Sequence, residues 1–449
     1  MLQNFRERLA LVLLGVLPLH ALLVTIATKL IAGPGNAPLT ALVLWKEALL
    51  GIILLVAAVE IVREKKWKVE SGKSIDTIDI VILIAVLYAG FMFLGGIPHE
   101  AKSFVLGFKY DFVPLIAFLI LRRVQWSAHF KKSAVNVILF IAALIGVYGI
   151  LSVFLPMSFF VSLGYSDLHS LYVAEGPLAA FQQIGGTTLR RIQSTMSGPN
   201  QFGLYMLIPL ALAMGEIVKP NAKKHHIGAI LFLVLASIIL SFSRAAWIGA
   251  LIMIIFVALP IMIQPSKRAI SAMVCGCMVC CGVALAVLFP SIFLRLASSE
   301  DHLRRPIEAL QMIGENPIGL GLGKAGPASN ATSDTCVTLE AGADASWAAD
   351  RPDLCVFVAG EKVQPVDQEC NCPVLTENWY LQWGVEMGMV GLVLSLLIPF
   401  FVLKKLRIEN GEWRIGLAFI GLSIAGLFLH SFEDAAVAYS IWLLVAVSF

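Results

Sequence analysis

Long apolar runs separated by short polar connections dominate the pattern along this chain. Each run comes close to the ~20 residues that an α-helix needs to cross the hydrocarbon core of a bilayer. The predicted spans are 9–31, 40–62, 76–96, 104–121, 134–155, 200–218, 227–243, 246–264, 270–293, 377–403, 415–432 and 435–449. Helices are the expected elements, because single strands leave their backbone polar groups unsatisfied in lipid. The pattern predicts an all-α polytopic membrane protein of about twelve transmembrane helices.

Two long polar segments, near 156–199 and 294–376, interrupt this pattern. In the second segment a helix is predicted over 303–315, and Pro317 with the glycines that follow predicts a tight turn. The chain then divides into four parts. They are 1–199 (transmembrane helices and a first outer loop), 200–293 (central helices), 294–376 (a large extracytoplasmic loop) and 377–449 (C-terminal transmembrane helices).

The composition excludes a soluble globular protein. Hydrophobic residues make up 58% of the 449 residues and charged residues only 14%, and the mean hydropathy is +0.84. A soluble domain carries about 25% charged residues. The first apolar run is too long for the core of a signal peptide and lacks a convincing cleavage site, so we interpret it as a retained first span.

Lysine and arginine concentrate in the loops on one side of the predicted spans. If the amino terminus is cytoplasmic, these loops carry Arg6, Arg8, Arg63, Lys65, Lys66, Lys68, Lys73, Arg122, Arg123, Lys131, Lys132, Lys219, Lys223, Lys224, Lys267, Arg268, Lys404, Lys405, Arg407 and Arg414. The short loops opposite carry almost none, and basic loops are retained in the cytoplasm. The distribution predicts that both termini are cytoplasmic and that the two long polar segments lie outside.

Eight cysteines fall into two groups. The large outer loop carries Cys336, Cys355, Cys370 and Cys372. In an oxidising compartment four cysteines indicate disulfides, with three possible pairings. A metal site is the alternative, although histidine is absent from 303 to 429. The other group is Cys275, Cys277, Cys280 and Cys281, which share one apolar run and are interpreted as packing residues.

Arginines on the predicted outer side are unexpected, because topology selects against them there. They are Arg190, Arg191, Arg244, Arg304 and Arg305. Arg244 lies in a turn-like break between two apolar runs, with small residues beside it. A guanidinium at the edge of a bilayer is costly unless it is paired or functional, and its planar fork suits phosphate. The alternative is an arginine that only extends to the interface from a helix end.

Other polar residues also cluster toward the predicted outer surface. Lys46, next to Glu47, lies in the outer third of the second span, and either helix pairing or substrate binding explains it. Asp111, Glu433 and Asp434 lie near the same surface. The glycines of 319–323 are not interpreted as a nucleotide loop, because no Lys-Ser/Thr follows and no strand precedes them. The outer segments show no nucleic-acid-binding motif.

Four stretches together resemble the O-antigen ligase and O-antigen polymerase superfamily of bacterial membrane glycosyltransferases. They are Arg191 to Asn200 (RIQSTMSGPN), Ser243 to Trp247 (SRAAW), His302 to Gly323 with its NPIGLGLG ending, and Glu377 to Gln382 (ENWYLQ) with the EMGMVG that follows at 386–391. The likeness covers roughly 190–395. The ligases carry histidine where this chain has Glu377.

The resemblance implies a multispanning (GT-C-like) fold in the bacterial cytoplasmic membrane, embedded in membrane lipids, with its active site on the outer face. The donor would be a polyprenyl-pyrophosphate-linked glycan and the acceptor a glycan or lipid, without metal, nucleotide or other cofactor. Arg244 and Arg191 would bind the pyrophosphate. A third basic residue would complete the pyrophosphate site, and the candidates for it are Arg305, Arg304 and His302. Lys46 is a further candidate for substrate binding. Glu377 would be the base, or else would cap the following helix.

Two other functions fit parts of the pattern. Some members of the superfamily that this chain resembles transfer oligosaccharides to proteins. A protein O-oligosaccharyltransferase is therefore the alternative among glycosyltransferases. A polysaccharide transporter or flippase is the alternative from another class. Transporters tend to show internal repeats and charges near the midplane of the membrane. No repeat is visible here, and the polar residues lie outward.

Overall fold

The computed structural model describes most of the chain, and helices account for 69% of it and strands for 5%. The described residues are 1–63, 75–97, 100–167, 176–184, 187–219, 223–263, 296–339, 342–349, 351, 354–365, 367–406 and 413–449, with side chains left out at 260–263 and 296–302. The helical class is therefore confirmed. The strands lie in the two long polar segments.

The helices follow the apolar runs. In the first part they are α1 (Leu2–Val16), α2 (His20–Ala32), α3 (Thr40–Val43), α4 (Trp45–Arg63), α5 (Thr77–Leu94), α6 (Ala101–Asp111), α7 (Val113–Leu121), α8 (Ala128–Ser152) and α9 (Met157–Leu163). The later ones are α10 (Pro199–Ile217), α11 (Lys224–Leu240), α12 (Arg244–Ile263), α13 (Leu296–Glu315), α14 (Gly326–Thr332), α15 (Trp379–Lys405), α16 (Trp413–Ala425) and α17 (Ala435–Ser448). The predicted helix over 303–315 is confirmed as part of α13.

Four helical segments in the described residues are long and apolar enough to cross a membrane: Leu2–Ala32, α5, α8 and α15. The pair α6 and α7, bent by 43°, makes a fifth if it counts as one span. Four further apolar helices are shorter, namely α11, the apolar part of α12 (Arg244–Leu259), α16 and α17. The predicted span at 270–293, with its four cysteines, lies outside the described residues. The count of twelve spans is therefore not confirmed.

Ion pairs join several helix ends. The loops at these ends all belong to the predicted cytoplasmic side. Arg6 donates to Glu60 at 3.0 Å and to the Gln125 carbonyl at 2.7 Å. Arg122 contacts Asp76 at 2.6 Å and Asp79 at 2.9 Å. Two further pairs are Lys405 with Asp76 and Arg414 with Glu216. These contacts hold the ends of α1, α4, α5, α7 and α15 side by side.

The centre of the bundle is formed by α10 and α17, which are buried along almost their whole length. α10 packs against α8, α11, α12 and α16. Small residues allow the closest approach, between α12 and α16: a Cβ atom on Gly249 would lie 2.8 Å from the Gly421 carbonyl oxygen. Such contacts between small residues are the usual way in which membrane helices gain van der Waals contact.

A break in α15 connects this bundle to the glycine-rich segment 317–323. Met387 and Gly388 leave the helical conformation, and Gly388 has φ 64° and ψ −157°. The segment hydrogen-bonds on both sides of the break, with Leu320 N donating to Val385 O at 2.9 Å and Met389 N donating to Pro317 O at 3.0 Å. A Cβ atom on Gly388 would lie 2.0 Å from the Pro317 oxygen. The predicted turn is therefore present, and it also fills the break.

The large polar loop contains a three-stranded sheet. Its strands are β3 (Thr335–Leu339), β4 (Leu354–Val358) and β5 (Glu361–Gln364). A separate pair, β1 (Gln182–Gln183) and β2 (Arg190–Arg191), lies in the first polar segment. β3 and β4 are parallel, and β4 and β5 are antiparallel. Disulfides join Cys336 to Cys372 and Cys355 to Cys370. This confirms the disulfide prediction and selects one of its three pairings.

We expect the double replacement Cys355→Ser and Cys370→Ser to destabilise this loop by about 3 kcal/mol, the chain-entropy value for a loop of about 15 residues. The separation of the two cysteines is 15 residues. Limited proteolysis of the folded chain measures the effect as faster cleavage within the loop. Ala349→Ser, at an exposed position of the same loop, is the control. Cleavage at the control rate would contradict a stabilising disulfide.

Candidate functional site

An ion pair between Arg305 and Glu377 lies where the large loop meets α15. Arg305 Nη1 is 2.5 Å from Glu377 Oε1, and the two side chains are 28% and 19% exposed. Glu377 has φ 52°, a left-handed conformation that is uncommon for residues other than glycine. The strained backbone and the short contact fix the direction of the carboxylate.

The packing of α13 explains why Arg305, rather than Arg304, faces Glu377. Arg305 precedes Ala309 and Ile313 by four and eight residues, so the three lie on one helix face. Ala309 and Ile313 are buried against Val385 of α15. Arg304 instead pairs with Glu308 at 3.4 Å, and its side chain is 60% exposed. The side chain of His302 lies outside the described part of the structure.

The helix that follows Glu377 is capped by its neighbour. Asn378 Oδ1 accepts a hydrogen bond from Leu381 N at 3.0 Å, so Asn378 is the N-cap of α15. Its Nδ2 donates to the Leu427 carbonyl at 3.0 Å. The alternative role predicted for Glu377, helix capping, therefore belongs to Asn378.

Arg244 faces the same carboxylate from another helix. It is the first residue of α12, directly after the break at 241–243, where Phe242 has φ 50°. Its half-buried guanidinium interacts electrostatically with Glu377. Two arginines that are 61 residues apart in sequence, Arg244 and Arg305, therefore both act on one carboxylate.

Arg191 hydrogen-bonds to the turn that precedes Arg244. Its guanidinium donates to the Ser241 carbonyl at 3.1 Å, the Phe242 carbonyl at 3.3 Å and Asn200 Oδ1 at 2.7 Å. It also donates to Gln182 Oε1 at 3.1 Å. The side chain is buried. These contacts fix the turn that presents Arg244, so the structure places Arg191 as a positioning residue.

A cavity of about 490 Å³, within the size range of ligand sites, opens near this cluster and is bordered by Asn200, a partner of Arg191. Its polar wall includes His20, Lys46, Asn200, His430 and Glu433. Lys46 Nζ donates to the Val43 carbonyl at 2.9 Å and lies 3.4 Å from Glu47. Lys46 Nζ also lies 3.1 Å from His20 Nε2 of α2, which fits the helix-pairing explanation, while substrate binding by Lys46 stays a prediction.

His430 connects this cavity to the ion pair, and sequence reasoning missed it. It lies in the turn between α16 and α17, borders the cavity, and is within the electrostatic influence of both Glu377 and Arg305. Burial lowers the pKa of His430 to about 4. The imidazole is therefore neutral near pH 7.

Three carboxyl groups meet deeper in the same wall. The Asp111 carboxyl interacts electrostatically with those of Glu386 and Glu433, and Trp383 Nε1 donates to Asp111 Oδ1 at 3.0 Å. Burial, and then the charge of Asp111, raise the pKa of Glu433 well above its usual range. Glu386 also accepts from Gly323 N at 2.8 Å. Asp111 and Glu433, both predicted near the outer surface, lie together here, and Glu386 is an addition; the outer position stays a prediction.

A second cavity, of about 570 Å³, lies against Arg305. It is bounded by α13 and the disulfide-bonded loop, with Arg305, Glu308, Thr338, Phe357 and Thr376 in its wall. Arg305 lines this cavity, whereas His430 lines the first one. One partner of the ion pair and the histidine near it therefore each border a cavity.

No model of a known protein family matches this chain, and no curated protein matches it in sequence.

Proposed function

We propose that the chain is a glycosyltransferase that moves an oligosaccharide from a polyprenyl-pyrophosphate donor to a glycan or lipid acceptor outside the cytoplasmic membrane. The observation that carries the proposal is the convergence of Arg244 and Arg305 on Glu377, with one cavity against Arg305 and another against the nearby His430. A reaction between a large anionic lipid and a sugar hydroxyl needs these features: positive charge for the diphosphate and room for two substrates.

The arginines supply the main chemical effect in this proposal. Negative charge grows on the diphosphate as its bond to the anomeric carbon breaks, and preorganised guanidinium groups stabilise that charge. Arg191 keeps the Arg244 turn in place, and Lys46 borders the cavity as a further cation. Glu377 keeps Arg305 directed toward the reacting groups. The assignment of Glu377 as base stays a prediction, and the ion pair counts against it, because adjacent positive charges lower the proton affinity of a carboxylate.

The fold supports a place in the membrane with the site at one surface. The buried pairs Arg6–Glu60 and Arg122–Asp76 join helix ends of the predicted cytoplasmic side. α13, which carries Arg305, exposes the apolar side chains of Leu303, Ile307 and Leu310. A helix with one apolar exposed face suits the membrane interface. In the proposal, about twelve helices cross the bacterial inner membrane, both termini are cytoplasmic, and α13 lies at the outer surface.

The test is a deletion strain of the source bacterium, complemented with the wild-type chain or with Arg244→Ala. We expect the wild type to restore long-chain surface glycan on gels, and the variant to leave it short or absent while lipid-linked oligosaccharide accumulates. Lys132→Ala, at an exposed position of α8, is the control for expression. Immunoblots of the membrane fraction show whether each chain is present.

Three results separate this proposal from its alternatives. Normal glycan length and amount with Arg244→Ala present in the membrane would rule out the role of Arg244. Intact polysaccharide with an unmodified glycoprotein in the deletion strain would indicate transfer to protein instead. Donor trapped on the inner leaflet would indicate a flippase.

A further inference from the structure

The imidazole of His430 occupies a chemically distinctive place. It borders the 490 Å³ cavity on one side and responds to the charges of Glu377 and Arg305 on the other. Its Nδ1 atom is buried and has no hydrogen-bond partner among the described residues. A neutral imidazole that borders a substrate-sized cavity and carries a nitrogen without a hydrogen bond is a group able to take a proton.

We propose that His430 is the catalytic base, taking the proton of the acceptor hydroxyl as that oxygen attacks the donor sugar. This rests on the proposed glycosyltransferase function. The acceptor oxygen forms a bond to the anomeric carbon, and the bond from that carbon to the diphosphate oxygen breaks. The bonding electrons leave with the diphosphate, held by Arg244 and Arg305. The hydroxyl proton moves to His430, and the imidazolium then releases it to the diphosphate or to water.

The local contacts favour His430 over Glu377 for this step. Glu377 Oε1 is held by Arg305 at 2.5 Å and also faces the charge of Arg244, so both arginines compete with a proton for it. His430 Nδ1 has no such partner among the described residues. Burial lowers the pKa of the ring, and the charge of Glu377 acts in the opposite direction. Once it becomes an imidazolium, the Glu377 carboxylate stabilises its positive charge in a poorly solvated site. Glu377 thus assists the base without being it.

The experiment uses the purified full-length chain in nanodiscs, with polyprenyl-pyrophosphate-linked glycan extracted from the source strain as donor. We expect His430→Gln to lower the rate constant for transfer by about 10²–10⁴-fold, the usual contribution of a general base. Donor affinity, measured by thermophoresis, should stay within about twofold, since the base contacts the acceptor. His225→Gln, an exposed histidine near the start of α11, should transfer at the wild-type rate.

A second variant guards against a purely structural effect. His430→Ala leaves space for free imidazole. Added imidazole should raise the transfer rate of His430→Ala at least tenfold, whereas the rate of His430→Gln should not change. Wild-type transfer by His430→Gln, or loss of donor affinity together with transfer, would overturn the assignment. Absence of recovery in a folded His430→Ala that still binds donor would do the same. If the wild-type chain itself transfers no glycan in this assay, the glycosyltransferase proposal fails, whatever the variants do.

Discussion

Arg305→Ala is expected to lower glycan transfer by about 10²–10³-fold, the usual cost of removing one preorganised charge-stabilising donor. The loss has two physical sources. The diphosphate loses a cation, and Glu377, only 19% exposed, loses the partner that lies 2.5 Å away. Arg305→Lys keeps the charge but not the planar fork, so an intermediate rate is expected. The measurement is transfer by the purified chain, with glycan length in complemented cells as a second readout.

The neighbouring arginine provides the matched comparison. Arg304→Ala removes an exposed side chain whose visible partner is Glu308, one turn along the same helix. Exposed pairs of this kind contribute little, so the rate should change less than about threefold. An equal loss in both variants would show that α13 as a whole matters rather than Arg305. In a double-mutant cycle, Arg305→Ala combined with Glu377→Gln should be no worse than the poorer single variant, if the pair acts as a unit.

The largest expected effect on stability belongs to Arg122→Ala. Arg122 is 4% exposed, and its guanidinium bridges Asp76 at 2.6 Å and Asp79 at 2.9 Å. Removing it leaves each carboxylate with a single, more exposed basic partner, Lys405 for Asp76 and Arg123 for Asp79. Breaking a buried ion pair from one side costs about 3–5 kcal/mol. We expect a clearly lower melting temperature in detergent and less protein in the membrane fraction.

The same measurement on Lys132→Ala, an exposed position on α8, serves as reference. A melting temperature of Arg122→Ala equal to that of this reference would contradict the structural role. Replacing the two carboxylates as well gives an experiment in which stability should be restored. Adding Asp76→Asn and Asp79→Asn to Arg122→Ala removes the two carboxylates whose charge Arg122 balances, so part of the lost stability should return.

The sequence predicts the helices better than it predicts their lengths. Apolar runs end where polar residues begin, and α5, α8 and α15 follow that rule. The run at 415–432 does not, because α16 ends at Ala425 and the apolar residues after it form a turn. Hydropathy records that a residue is apolar, not whether its backbone is helical. Spans predicted from hydropathy alone are therefore too long at such turns.

At the site, the residue types were predictable and their partners were not. The arginines stood out because they are rare on the predicted outer side. The choice of Arg305 over Arg304 was within reach, since its spacing to Ala309 and Ile313 marks the packed face of α13. The roles of Glu386 and His430 were not, because both depend on contacts with distant parts of the chain. Long-range proximity of that kind leaves no local signature in one sequence.

The break in α15 also bears on how a saccharide would reach the proposed site. The glycine-rich segment is hydrogen-bonded on both sides of Met387 and Gly388, and it leads directly into α14 and the sheet. The base of the sheet is thus tied to α15. In the proposed glycosyltransferase, a growing saccharide would enter by the cavity between α13 and the disulfide-bonded loop.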